Sequence, residues 1–171
     1  MGFTGFMLEL EEQEKELGIH FDTVVVCSVT GSSQAGIIVG SAIQKDEGQP
    51  ARRVIGIDAS AKPAQTKAQV RKIAQATADR LGLGRQLTED EVELDERFHA
   101  GVYGLADVDT LAAMQLGART DGMITDPVYE GKSLAGLIKL VREGEISKDS
   151  NVLYVHLGGQ AAISAYPDLI K

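Results

Sequence analysis

The sequence predicts an α/β domain of three layers, with an open, mostly parallel sheet covered by helices on both faces. Two observations carry this. TVVVCS (23–28) and RVIGID (53–58) are short apolar runs rich in β-branched residues and lacking polar alternation, the pattern of strands buried on both faces. Longer segments with apolar residues at three- and four-residue spacing alternate with them, and such alternation favours parallel pairing through crossover helices. A chain of 171 residues with 43% hydrophobic content is long enough to build one real core.

The elements follow in order. TGFMLELEEQEKEL (4–17) favours a helix, closed by Gly18. The strand 23–28 comes next, and a helix from about Ser33 to Gln44 carries Gly36 and Gly40 on one face, where they permit close packing. After the strand 53–58, Pro63 opens a long helix with Val70, Ile73, Ala74, Thr77 and Leu81 at helical spacing and Gly82 just past its end. VELDERF (92–98) reads as a short strand or an extended loop. DVDTLAAMQLGA reads as a helix with Asp107 or Asp109 near its N-cap. TDPVYEGKS leads into a helix with Leu134, Leu137, Ile138 and Val141 on one stripe, and VLYVH (152–156) is the last strand. Three clear strands are few for a free-standing doubly wound sheet, so a portion of the domain is expected to be missing.

Bulk properties narrow the function. A formal net charge of −8 argues against a nucleic-acid surface and against an anionic membrane surface. One cysteine, Cys27, excludes a disulfide framework and suits a reducing compartment. The N-terminus lacks a basic signal region, Phe6 stands where a myristoylation signal needs Ser or Thr, and no apolar run approaches bilayer length. The expectation is a soluble, cytoplasmic protein.

VTGSSQAG (29–36) joins a strand end to a helix start. Unpaired backbone N–H groups and the helix dipole favour an anion at such a place. Thr30, Ser32 and Ser33 offer hydroxyls, and Gly31 lets the backbone approach closely. The dinucleotide pattern G-x-G-x-x-G is absent. Gly31 and Gly36 have the spacing of a P-loop, but Ile37 and Ile38 occupy the positions of its Lys and Ser/Thr. The alternative reading is a tight turn with capping serines.

VVVCSVTGSSQAG, VIGIDASAKPAQT, LDERF with the following YG, TDPVYEGKS and LYVHLGG together resemble the 1-aminocyclopropane-1-carboxylate deaminase and D-cysteine desulfhydrase family. These are pyridoxal 5'-phosphate (PLP) enzymes of the tryptophan synthase β-like fold, and the likeness covers nearly the whole chain. It implies a type II PLP-enzyme large domain truncated at the N-terminus. It also implies that Val29, Thr30, Gly31, Ser32 and Ser33 hold the cofactor phosphate and that Glu130 faces the pyridine nitrogen. Tyr103 and Tyr129 match two active-site tyrosines, and Leu157 matches a residue beside the ring and substrate. Glu130 and Leu157 place the chain on the deaminase side, because desulfhydrase-like members carry small hydroxylic residues there. The implied reaction opens the cyclopropane ring of a small amino acid and releases 2-oxobutanoate and ammonia. Other readings of the same residues stay open: half-buried tyrosines for Tyr103 and Tyr129, a first-turn acid for Glu130, a capping Asp58, a core Cys27, and structural or solvated His20, His99 and His156.

The family's Schiff-base lysine lies in an upstream half that this chain does not match. Lys15, Lys45, Lys62, Lys67, Lys72, Lys132, Lys139, Lys148 and Lys171 stand at other positions, with Lys62 and Lys132 nearest the proposed site. The expectation is a weak phosphate binder that is inactive alone. Alternatives are a D-cysteine desulfhydrase, a non-catalytic PLP-binding module, a subunit that pairs with a separate N-terminal half, and an unrelated phosphate-ester binder. Uncovered sheet edges and helix stripes lead us to expect low solubility or a homo-oligomer.

Overall fold

At the centre of the sheet lies β1 (Thr23–Ser28), parallel to β2 (Arg53–Asp58) on one side and to β4 (Val152–Val155) on the other. A three-residue strand, β3 (Glu93–Asp95), pairs parallel with β2 at the far edge, giving the order β3-β2-β1-β4. This computed structural model describes residues 1–169, so Lys171 lies outside the described residues. The segment 92–98 thus supplies a fourth strand.

Helices cover both faces. Met7 and Leu10 of α1 (Gly2–Leu17), Ile37 and Val39 of α2 (Ser32–Asp46) and Val70 and Ala74 of α3 (Pro63–Leu81) share a core with Val24 and Val26. On the other face Val25, Ile55 and Ile57 pack with Leu140 and Ile146. Leu140 belongs to α5 (Glu130–Arg142), and α4 (Val108–Asp121) packs on α5 through Ala113 and Leu134. Successive valines of β1 therefore serve opposite cores, which is why no polar alternation appears in TVVVCS. Val24, Val25 and Val26 are fully buried, and each such burial stabilises by roughly 1.5–3 kcal/mol.

Helix ends match local chemistry. Gly18 and Gly82 close α1 and α3 in the left-handed conformation. The Asp107 side chain accepts the Thr110 N–H at 2.8 Å and caps α4. A methyl group added at Gly36 would lie 2.7 Å from Phe3 Cβ, and one at Gly40 would lie 2.6 Å from Met7 Cβ. The two glycines therefore form the notch into which α1 packs. No helix among the described residues is long and apolar enough to cross a membrane.

Candidate active site

All four strands run the same way, so their carboxyl ends collect on one side, where parallel sheets place their ligands. β1 ends there in Val29-Thr30-Gly31, and α2 starts at once. Gly31 is the N-cap residue with φ +80°, and a Cβ there would lie 2.7 Å from Val70 Cγ2, so glycine meets both a conformational and a steric demand. Among the described residues no side chain caps α2, and Ala35 N–H bonds to the Gly31 carbonyl at 2.9 Å. Its first-turn N–H groups are thus open to an anion.

A cleft of about 400 Å³ opens at this point. Its walls are Cys27, Val29, Thr30, Gly31, Ser33 and Gln34 from the first crossover, with Tyr103, Tyr129, Glu130, Leu157, Gly158 and Gly159 from three later segments. Eight of the nine residues singled out from the sequence line it. The exception is Ser32, the first residue of α2, which is exposed and stands outside the lining.

Asp126 organises the opposite wall. Its fully buried carboxylate accepts the N–H groups of Val128 and Tyr129 at 2.8 Å and of Glu130 at 2.9 Å, fixing the start of α5. Gly159 passes over this carboxylate with φ +91°, where a Cβ would lie 2.2 Å from Asp126 Oδ2. Two neighbouring cleft residues are thereby held by one side chain.

The hydroxyls of Tyr103 and Tyr129 share a hydrogen bond. That bond, reinforced by burial, pushes the Tyr129 phenol up to about 12. Tyr103 stands on a loop tied down at both ends. Lys132 Nζ donates to the His99 carbonyl at 3.0 Å, and the Tyr166 hydroxyl donates to the Gly104 carbonyl at 2.6 Å. Glu130 is 2% exposed, and burial raises its carboxyl above the ordinary glutamate value although the Tyr154 hydroxyl pulls the other way. Burial likewise lowers the Lys132 ammonium, which lies wholly inside the protein.

Neither lysine nearest the site lines the cleft. Lys132 faces the Tyr103 loop, and Lys62 borders an adjoining hollow with Ser60, Thr66 and Tyr103. Asp58 accepts from Ser60 N–H and Oγ, a turn-capping role. Cys27 is buried and also forms cleft wall, where burial pushes its thiol up. Among the described residues no His, Cys, Asp and Glu cluster is arranged to hold a metal ion. Sequence reasoning passed over Asp126, Gln34, Tyr154 and the Gly158-Gly159 pair. Only Asp126 carried a usable local signal, an Asp-Pro pair just before a helix start.

These features define a class. The model of the family described as "Pyridoxal-phosphate dependent enzyme" matches residues 1–158, and the chain belongs to that family, whose cofactor is PLP. A relative from Cryptococcus neoformans var. neoformans serotype D, named "Probable 1-aminocyclopropane-1-carboxylate deaminase", is 58% identical over 97% of this chain and 47% of its own length. Among solved structures, one titled an ACC deaminase homologue superposes with a TM-score of 0.82 at 26% identity, over 99% of this chain and 49% of that one. A T.th. threonine deaminase, with a TM-score of 0.50 and 20% identity over 93% of this chain and 55% of its own, shares the type II fold. The chain spans about half the length of the relatives it matches.

The residues present fit the cofactor. An uncapped helix start beside the Thr30 and Ser33 hydroxyls suits a phosphate, and a buried carboxylate, Glu130, shares the same cleft.

Proposed function

We propose that this chain is the cofactor-phosphate part of a PLP-dependent 1-aminocyclopropane-1-carboxylate deaminase. The whole enzyme would consume one water, open the ring and release 2-oxobutanoate and ammonia. One observation carries the reading: α2's uncapped start, the Glu130 carboxylate and the Tyr103–Tyr129 pair share a single cleft. When bound, PLP supplies an electron sink for a carbanion at the substrate carbon. Val29 to Ser33 bind its phosphate, with Ser32 contributing through its position at the helix start. Glu130 holds a proton at the pyridine nitrogen. The tyrosine pair moves a proton to or from the substrate, one phenol steadying the other. Leu157 packs beside ring and substrate, and Glu130 with Leu157 favours the deaminase over D-cysteine desulfhydrase.

No lysine lines the cleft among the described residues, which supports a chain that binds the cofactor but depends on another segment for the amine. The purified chain should bind PLP in competition with inorganic phosphate and release no 2-oxobutanoate from 1-aminocyclopropane-1-carboxylate. Absence of PLP binding would overturn the cofactor role, and turnover would overturn the dependence on a second segment. Val102, Leu105 and Val108 are 60%, 53% and 81% exposed beside Tyr103, an apolar rim suited to a second copy or to a separate N-terminal half. Self-association of the isolated chain in sedimentation would favour the second copy, whereas a stable monomer at high concentration would leave only the separate half as the partner of this surface.

A further inference from the structure

Glu130 opens α5, a position where an acidic side chain gains from the helix dipole while remaining in solvent. Here it is turned inward instead, to 2% exposure. The nearest group that explains this is a phenol from the edge strand. Tyr154 Oη donates to the Glu130 carbonyl at 2.8 Å and shares that proton with Glu130 Oε2 at 3.1 Å, and it stands 3.0 Å from Ser133 Oγ. Ser133 Oγ stands 3.4 Å from Oε2, and the Leu157 N–H also favours the charged form of the carboxylate. β4 delivers Tyr154 here because alternate residues serve opposite faces: Val155 joins the α1–α2–α3 core while Tyr154 packs under α5.

We propose that Tyr154 is a positioning residue for Glu130, its hydroxyl fixing the carboxylate against the cleft and keeping it able to hold a proton for a bound ring nitrogen. The last step rests on the function proposed above, whereas the hydrogen-bond role does not. A buried carboxylate without a donor takes up a proton, and a neutral acid at this place cannot stabilise a protonated pyridine. Other groups acting on Glu130 are Asp126, which disfavours its ionisation, and His156, which favours it. Tyr154 makes an edge-on contact with His156, ring centroids 6.3 Å apart, so the aromatic body is packed independently of its hydroxyl.

The test is a carbon-NMR pH titration of glutamate carboxyls in the full chain without cofactor, the Glu130 signal assigned by its loss in Glu130→Gln. Tyr154→Phe keeps the ring and removes the donor. It should raise the Glu130 midpoint by about one unit, the lower end of what a hydrogen bond to a charged group is worth, because the proton is shared with the backbone carbonyl. Ser133→Ala should raise it less, its oxygen being farther from Oε2. An unmoved midpoint in Tyr154→Phe would reduce Tyr154 to a packing residue and overturn the proposal. Should that variant fail to fold, fluorotyrosine placed at 154, a stronger donor of nearly equal size, should lower the midpoint, and no change would be equally fatal. With PLP added, nitrogen-NMR of the ring should show less protonated pyridine in Tyr154→Phe. Failure of PLP to bind at all would instead sink the cofactor reading and leave the apo titration standing.

Discussion

Replacing Asp126 with alanine removes a buried carboxylate that accepts three N–H groups at 2.8, 2.8 and 2.9 Å. Loss of a helix-start cap alone costs about 1 kcal/mol. The N–H groups of Val128 and Glu130 are buried as well, and each left unpaired adds roughly 1–2 kcal/mol after relaxation. The total is about 3–5 kcal/mol. For a chain of this size that corresponds to a fall in Tm of roughly 6–20 °C. Asp126→Asn keeps the Oδ1 acceptor for Val128 and Tyr129 but turns an amide N–H₂ toward the Glu130 N–H, so it should lose about half as much. Urea unfolding followed by circular dichroism gives both values. A loss below about 1 kcal/mol for Asp126→Ala, or an asparagine variant less stable than the alanine one, would refute the claim that this carboxylate anchors α5.

Three further outcomes follow from named contacts. Arg52 Nη1 and Nη2 reach the Glu14 carboxylate at 2.6 and 3.0 Å, both side chains being nearly buried, so Arg52→Leu should cost about 3–5 kcal/mol in denaturant unfolding at neutral pH. Burial would raise the Glu14 carboxyl, but Arg52 and the Phe21 N–H outweigh it and the net shift is downward; its contribution to stability is therefore present above the ordinary glutamate value and lost as pH falls through the depressed one, and a pH series of unfolding curves should show that acid loss disappearing in Arg52→Leu. Tyr103→Phe removes the main cause of the high Tyr129 phenol, so a phenolate-absorbance titration should show that group returning from about 12 toward the ordinary tyrosine value.

The central strands were legible because each valine or isoleucine of 23–28 and 54–57 is buried, leaving an apolar signature with no competing pattern. The glycine closures of α1 and α3 were legible for a local reason as well, since a helix end in the left-handed region calls for glycine. β3 was ambiguous because a three-residue edge strand shows too little periodicity to separate from a loop. In the cleft, the α2 start was readable as an anion site from local chemistry alone. Spacing could not bring Tyr103 to Tyr129, since that depends on bonds from Lys132 and Tyr166 to the His99 and Gly104 carbonyls, 33 and 62 residues from them in sequence. Family likeness marked both as active-site tyrosines, and the fold is what joins their hydroxyls. Tyr154 escaped notice because a tyrosine in an apolar strand reads as core, and only the fold sets its hydroxyl beside Glu130.

The glycine notch between the first two helices makes four positions interdependent. At position 40 the obstacle to a methyl group includes the β-carbon of Met7, which every residue but glycine possesses. Trimming Met7 to alanine would therefore not make room for Gly40→Ala; only transferring the glycine across the contact would. Phe3 and Gly36 obey the same rule. The sliding position of α1 along α2 is thus encoded by which partner lacks a β-carbon, and sequence drift at one member of a pair is constrained by its opposite number.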